Sequence, residues 1–338
     1  MAPVKVSIII PCYNEESTIE ELLEAILAQT YPVDSLEVII ADGLSTDRTR
    51  ERVAAFQTSH PQLNVRVVDN IQQTIPAALN QAIAESHGEV LARMDAHAIP
   101  VPDYIERCVA SLLAECGENV GGVIDIKPGK DDWIGQAIAV ATAHPLGVGD
   151  ARYRWAKKAG EADTVAFGTY RRSLVNQIGG YDESLRINED YEFNTRIRHA
   201  GGRIWVDPAI RVGYYSRPDL KSLAIQYFTY GYWKFKMLQR YPDTLRWRQA
   251  LPPVFVSGIL MLSLLSIFWI PARIGLVVVL SLYLVILLAG SVIPAIKRKR
   301  VSLIPGIPIA IITMHFSWGS GFLWSILKRL FTGSKNGN

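Results

Sequence analysis

The last third of the chain most limits what it can become. Leu251 to Ile270 (LPPVFVSGILMLSLLSIFWI) carries no charged residue, and neither does Ile274 to Ile296 (IGLVVVLSLYLVILLAGSVIPAI). Each reaches roughly the 20 residues that take a helix across a bilayer core. Buried core helices are the alternative, but soluble helices of that length normally keep a polar face. Only Pro271-Ala272-Arg273 separates the two runs, so a tight hairpin is expected. Lys297-Arg298-Lys299-Arg300 follows at once. By the positive-inside rule that cluster is cytoplasmic, and two crossings put the N-terminal part on the same side. Residues 301–327 are apolar again but interrupted by Pro305, Pro308, His315 and small residues around Gly319. They form either a third span or a re-entrant or interfacial piece. Lys328-Arg329 beyond them favours a return to the cytoplasm.

The 338 residues leave room for one large domain or two ordinary ones in the rest of the chain. A net charge of +3 gives no nucleic-acid footprint. The charge is uneven: Lys221, Lys234, Lys236, Arg240, Arg246 and Arg248 face the single acid Asp243. Tyr227, Phe228, Tyr230, Tyr232, Trp233 and Phe235 mix with these bases at near-helical spacing. Such a segment can lie in the headgroup layer and contact membrane lipids, or pack as a helix with basic ends. Cys12, Cys108 and Cys116 show no CxxC spacing, so neither a disulfide framework nor a zinc site is indicated. Met1 to Lys5 leads straight into a strand pattern, and no secretory leader is expected.

Up to about residue 210, strand and helix patterns alternate. Strands are expected at Lys5–Ile10, Leu36–Ala41, Asn64–Val68, Glu89–Met94 and Val120–Ile126. Ser17-Thr18-Ile19-Glu20 reads as a capping box, with Leu22, Leu23, Ile26 and Leu27 at helical spacing behind it. Thr46–Phe56 and Pro76–Glu85 supply the next two helices. Alternation of this kind implies right-handed crossovers, a mostly parallel sheet and helices on both faces. The fold class expected is therefore α/β, followed by C-terminal transmembrane helices.

In such a sheet the residues after each strand share one edge, where ligands of open α/β sheets bind. Here those residues are acids: Glu15 and Glu16, Asp42, Asp69 and Asp95. Acids so placed repel one another unless something offsets their charge. They suit base and sugar hydroxyl donors and a divalent cation. No GxGxxG and no GxxxxGK[ST] is present, which disfavours dinucleotide oxidoreductases and P-loop NTPases. Phosphate is then best neutralised by Mg²⁺ or Mn²⁺. An imidazole at His97, two residues past Asp95, tilts the choice to Mn²⁺.

VSIIIPCYNEESTIEELLEAILAQTYP, EVIIADGLSTDRT, ALNQAIAESHGEVLARMDAH and IGGYDESLRINEDYEFNTRIRHAGGRIWVDP resemble glycosyltransferase family 2, in that order along the chain. The resemblance covers roughly residues 4–235 and implies the GT-A fold. With the membrane hairpin and QYFTYGYWK, the chain is similar to membrane-anchored enzymes of the succinoglycan type, which build exopolysaccharide repeat units on a lipid carrier. The resemblance implies roles for particular residues. Pro11, Tyr13, Glu15, Asp42 and Asp69 line the nucleoside pocket. Asp95-Ala96-His97 stands where the family has its metal-binding DxD, with His97 replacing the second Asp. Glu189-Asp190 opens a helical stretch, and Asp190 matches the general base of inverting members. Acids at a helix start also satisfy free amides, so the position alone does not distinguish the two roles. Gly179, Gly180 and Tyr181 match an acceptor-side loop.

The family often carries Gln-x-x-Arg-Trp in chain-forming enzymes. Here Gln226 is followed by Tyr227-Phe228-Thr229, and Gln226, Tyr230 and Trp233 are assigned to gating or the membrane interface. Addition of one sugar, rather than processive polymerisation, is expected. The expectation is thus an inverting transfer from a nucleotide-sugar, a UDP-sugar first, to a lipid-linked saccharide, in a multi-pass membrane protein with a cytoplasmic catalytic domain. That domain is assigned to 1–218, the interfacial segment to 219–250 and the membrane region to 251–330. The alternatives are a polyprenyl-phosphate sugar synthase and a non-catalytic membrane assembly protein of the same fold.

Overall fold

A computed structural model describes residues 3–332. The strands are β1 (Val6–Cys12), β2 (Leu36–Asp42), β3 (Asn64–Asp69), β4 (Val90–Arg93), β5 (Ala98–Pro100), β6 (Asn119–Lys127), β7 (Gly160–Ala162), β8 (Thr169–Arg171) and β9 (Ile204–Tyr215). The helices are α1 (Ile19–Leu27), α2 (Thr49–Ser59), α3 (Ile75–Glu85), α4 (Tyr104–Leu113), α5 (Trp133–Ala141), α6 (Pro145–Val148), α7 (Arg152–Trp155), α8 (Arg172–Ile178), α9 (Glu189–His199), α10 (Leu220–Leu238), α11 (Trp247–Leu265), α12 (Ile270–Arg298) and α13 (Leu303–Thr332). They group into two compact units, 1–125 with 151–214 and 126–150 with 215–338. Residues 126–150, assigned from sequence to the catalytic part, thus group with the second unit.

The sheet runs β3-β2-β1-β4-β8-β6-β9-β5, with β7 on β9. Its first four strands are parallel, with Val6 opposite both Leu36 and Val90 and Glu37 opposite Asn64. The β4–β8, β6–β8, β5–β9 and β7–β9 pairings are antiparallel, so the sheet is mixed beyond β4. In β1 and β2 the apolar runs are covered on both faces: Ile8, Ile9, Ile10, Val38, Ile39 and Ile40 are buried. Leu79 of α3, Leu91 of β4, Tyr170 of β8, and Phe193 and Ile197 of α9 complete a continuous core.

Helix α1 buries Ile19, Leu22, Leu23 and Ile26, as their spacing requires, but the capping box at Ser17–Glu20 does not form. The helix starts one residue later than that pattern implies. The Thr18 hydroxyl instead donates to Glu15 at 2.6 Å, because that carboxylate lies in the loop above it.

In the second unit the hairpin turn falls at 266–269, ahead of the proline expected to make it. Pro271 is part of the first turn of α12, where its missing N–H costs nothing, and Arg273 donates to the Ser266 carbonyl at 3.1 Å. Residues 303–332 form one uninterrupted helix despite Pro305, Pro308 and the glycines. Pro305 lies in its first turn, and neighbouring helices cover much of the rest. A Cβ on Gly231 would stand 2.1 Å from the Trp318 carbonyl oxygen, and one on Gly321 2.0 Å from that of Phe228. The glycines therefore let α10 and α13 meet backbone to backbone. Helices α11, α12 and α13 are all long and apolar enough to cross a membrane.

Candidate active site

The acidic edge of the first unit is built by register. Cys12, Asp42 and Asp69 lie side by side across β1, β2 and β3. The loop after β1 is then laced to the loop after β2. The Asn14 amide donates to Ser45 Oγ and the Glu15 amide to Thr49 Oγ1, both at 2.8 Å, and Asn14 Oδ1 accepts from the Thr46 amide at 2.8 Å. Tyr13 stands on this rim, half exposed, with Pro11 beneath it partly buried. Asp42 is only 1% exposed. It accepts from the Ser45 hydroxyl and amide and from Arg50 Nε. Arg50 reaches on to Asp69 through Nη2 at 2.5 Å. One guanidinium of α2 thus offsets two of the edge acids.

Asp95 and His97 occupy the turn between β4 and β5. His97 Nδ1 lies 3.0 Å from Glu15 Oε1, and its ring packs 5.0 Å from that of Tyr214. Asp95 Oδ1 accepts from Arg93 Nη2 at 3.2 Å. Among the described residues no three His, Cys, Asp or Glu side chains converge on one metal position. One carboxylate and one imidazole nevertheless fit a divalent ion that takes most of its ligands from diphosphate oxygens. An imidazole anchored through one nitrogen to a carboxylate is also the usual support for a metal-binding histidine.

The second group lies at the start of α9. Arg93 is 5% exposed, and its Nη2 also meets Glu189 Oε1 at 2.8 Å, while its buried Nη1 has no hydrogen-bond partner. Glu189 is buried and Asp190 half-buried beside it, with Asp190 Oδ1 accepting from the Tyr191 amide at 2.7 Å. Asp190 therefore does serve the helix start, yet its carboxylate stays partly open. Burial pushes the Glu189 carboxyl up to about 7, against the pull of Arg93 and with the push of Asp190. Burial likewise raises Asp190, again opposed by Arg93. The structure thus places a carboxylate of raised proton affinity at the opening of a helix, one arginine away from Asp95.

The loop Gly179–Tyr181 belongs to the same group of contacts. The Tyr181 ring stacks on Phe193 of α9 at 4.7 Å, and its hydroxyl lies 3.0 Å from that of Tyr170. The other predicted residues, Gln226, Tyr230 and Trp233, lie on α10 in the second unit. Gln226 donates to the Tyr230 hydroxyl at 3.0 Å, Tyr230 meets Trp318 edge-on, and Trp233 carries Lys236 over its ring. Lys234 of the same helix is buried and donates to the Thr244 carbonyl, and Arg248 pairs with Asp150. Two of the bases expected to face lipid headgroups are thus used inside the protein.

Sequence reading missed Arg50 and Arg93. Five acids along one edge do signal that compensating cations exist. Arg50 is the second residue of the helix after Asp42, and Arg93 is the one base in the strand ahead of Asp95.

A sequence model of glycosyl transferase family 2 matches residues 7–179. The chain is 33% identical over 323 residues to the succinoglycan biosynthesis protein ExoA of Rhizobium meliloti (strain 1021), covering 95% of this chain and 94% of that protein. It is 27% identical over 329 residues to a dolichyl N-acetyl-alpha-D-glucosaminyl phosphate 3-beta-D-2,3-diacetamido-2,3-dideoxy-beta-D-glucuronosyltransferase of Methanococcus voltae, covering 96% and 97%. Among solved structures, the mannosyltransferase PcManGT of Pyrobaculum calidifontis, in complex with GDP-Man and Mn²⁺, superposes with a TM-score of 0.69 at 19% identity, over 97% of this chain and 89% of that one.

Proposed function

The chain belongs to glycosyl transferase family 2, and from that premise we infer an enzyme that adds one sugar, with inversion, to a lipid-linked saccharide acceptor. The observation that carries the reading is the shared Arg93, which joins Asp95 to Glu189 and so to the half-buried Asp190. Donor and base sides of a transfer reaction are thereby held in one frame. The likeness to ExoA over nearly the whole of both chains supports a place in polysaccharide or glycolipid synthesis. The three apolar helices support membrane anchoring, and the basic run Lys297–Arg300 supports a catalytic unit on the cytoplasmic side.

In this reading Pro11, Tyr13, Glu15, Asp42 and Asp69 form the nucleoside end of the donor site. Tyr13 offers an exposed ring as a wall for a base. Asp42 holds Arg50 and Ser45 in place beneath it. Asp95 and His97 would hold Mn²⁺ or Mg²⁺, with Glu15 orienting the imidazole. When bound, that ion supplies counter-charge for the leaving diphosphate. Asp190 accepts the proton of the acceptor hydroxyl as the new bond forms, and its raised proton affinity suits it to that task. Arg93 opposes that rise.

The test is release of nucleoside diphosphate from a panel of UDP- and GDP-sugars in detergent, with a lipid-linked saccharide extract as acceptor. Asp190→Asn should keep UDP affinity and lose about 10²–10⁴-fold in transfer, the usual share of a general base. Near-normal transfer by that variant to a hydroxyl acceptor would sink the inverting mechanism. No turnover by the wild-type chain with any donor would favour the assembly-protein alternative.

A further inference from the structure

The loop Gly179–Tyr181 is held far more tightly than a surface turn needs. Arg196, on α9 six residues past Asp190, donates from Nη1 to the carbonyls of Ile178 at 2.7 Å and Gly179 at 3.2 Å. Its Nη2 donates to the carbonyl of Gly180 at 2.6 Å. Glu192, 1% exposed, aims this guanidinium side-on, with Oε1 to Nε at 2.6 Å and Oε2 to Nη2 at 2.9 Å. Three successive carbonyls are thus gathered by one planar fork, a geometry that lysine cannot reproduce.

From the other side Asn80 of α3 pairs with the next residue like a strand. Its Oδ1 accepts from the Tyr181 amide at 2.7 Å, and its Nδ2 donates to the Tyr181 carbonyl at 2.9 Å. The two glycines are what permit this. Gly179 has φ +83°, and a Cβ on Gly180 would stand 2.4 Å from Asn80 Oδ1. A buried ion pair gives little net stability over well-packed apolar residues. Retaining one here therefore calls for a reason of position.

We propose that Arg196 is a positioning residue that locks the Gly179–Tyr181 loop to the helix carrying Asp190, setting where the acceptor hydroxyl meets the base. This deepens, and rests on, the reading of Asp190 as the base and of the loop as acceptor-facing. The donor end has its own supports in Arg50, Asn14 and Glu15, so the clamp acts on transfer and leaves donor binding alone. A misplacement of about 1 Å can cost on the order of 10²-fold in a positioned reaction.

The experiment uses the full chain in detergent and a donor that the wild type turns over, chosen from UDP-glucose, UDP-GlcNAc and GDP-mannose. Three quantities are measured: transfer to the lipid-linked saccharide extract, hydrolysis of the same donor without acceptor, and affinity for its nucleoside diphosphate. Arg196→Lys is expected to lower transfer at least tenfold, with hydrolysis and affinity within about twofold. Equal losses in transfer and hydrolysis, or unchanged transfer, would overturn the proposal. If Arg196→Lys does not fold, Asn80→Ala is read instead, since it removes the other side of the same clamp. The same transfer-specific loss is expected, and unchanged transfer overturns the proposal. Loss of transfer in Asp190→Asn beside normal transfer in Arg196→Lys leaves the base intact and removes only the clamp. Normal transfer in Asp190→Asn removes the underlying reading itself.

Discussion

Replacing Arg93 by methionine keeps an unbranched apolar stem and deletes one buried charge with its donors. In the wild type that charge sits 2.8 Å from Glu189 and 3.2 Å from Asp95. With an effective dielectric constant of about 20, Coulomb's law assigns about 6 and about 5 kcal/mol to these contacts. Relaxation and water entry reduce the net cost, and breaking a buried pair from one side typically costs about 3–5 kcal/mol. At about 1.4 kcal/mol per pKa unit, that cost corresponds to about two to three and a half units in all, shared between Glu189 and Asp190. The direction follows from charge: Arg93 lowers both Glu189 and Asp190, so its loss raises both. A base that must be ionised then works only at higher pH. The assay is kcat/KM for nucleotide release from pH 5 to 9. The acid limb of Arg93→Met should move to higher pH by one unit or more, with activity partly recovered near pH 9. Its position belongs to the coupled Glu189–Asp190 pair rather than to either residue. Stability carries the same sign. Folded carboxylates with raised pKa values bind extra protons, so stability is kept below the ordinary carboxylate range and lost as pH rises through the folded values. The melting-temperature deficit of Arg93→Met should therefore be larger at pH 8 than at pH 5. A uniform loss of activity with the limb unmoved would refute the electrostatic role of Arg93.

Asp42→Ala frees Arg50 and Ser45, and UDP affinity measured by calorimetry should weaken severalfold more than turnover slows. Asp95→Asn should abolish Mn²⁺-stimulated transfer, whereas His97→Asp should keep activity and shift preference towards Mg²⁺; full wild-type turnover in EDTA would remove the metal assignment. Cysteines placed one at a time by Ile267→Cys and Lys328→Cys, with Cys116 replaced by serine, should react with an impermeant maleimide from opposite faces of sealed vesicles; reaction from one face would mean that the chain crosses differently.

The parallel half of the sheet was legible because its strands are continuous apolar runs buried on both faces. Val6–Cys12 and Leu36–Asp42 stand within two residues of the positions expected for them. Strands β5, β7 and β8 have three residues each, too few for any period to show. The acids of the site were legible for a related reason, since a polar residue directly after a buried strand must sit at the sheet edge. Their partners were not. Arg93 lies within an apolar strand, where a base reads as an interruption, and its role depends on Glu189 being folded back beside it. Asn80 and Tyr181 are 101 residues apart. No local pattern encodes such a pairing, although the paired glycines at 179 and 180 mark a backbone that something approaches closely.

Residues 301–327 show where composition stops and neighbours decide. By length and apolarity α13 qualifies as a span, but it is the most covered of the three candidate helices. Near its start, Gly306 lies against Ala137 and Trp133 of α5. Fifteen residues on, roughly 22 Å along a helix axis, Gly321 touches the Phe228 backbone and Phe322 packs on Phe235 of α10. Helix α10 carries Lys221, Lys236 and a following Arg240, and α5 follows Lys130, Asp131 and Asp132. Charges of this density are expensive in hydrocarbon. A crossing helix would leave such water-side partners behind after its first turns, and α13 keeps them along most of its length. The expected arrangement is therefore an α13 that lies along the membrane surface with α5 and α10. With two crossings, from the α11–α12 hairpin alone, Lys328→Cys labels from the face opposite Ile267→Cys, whereas a crossing α13 would put both cysteines on one face.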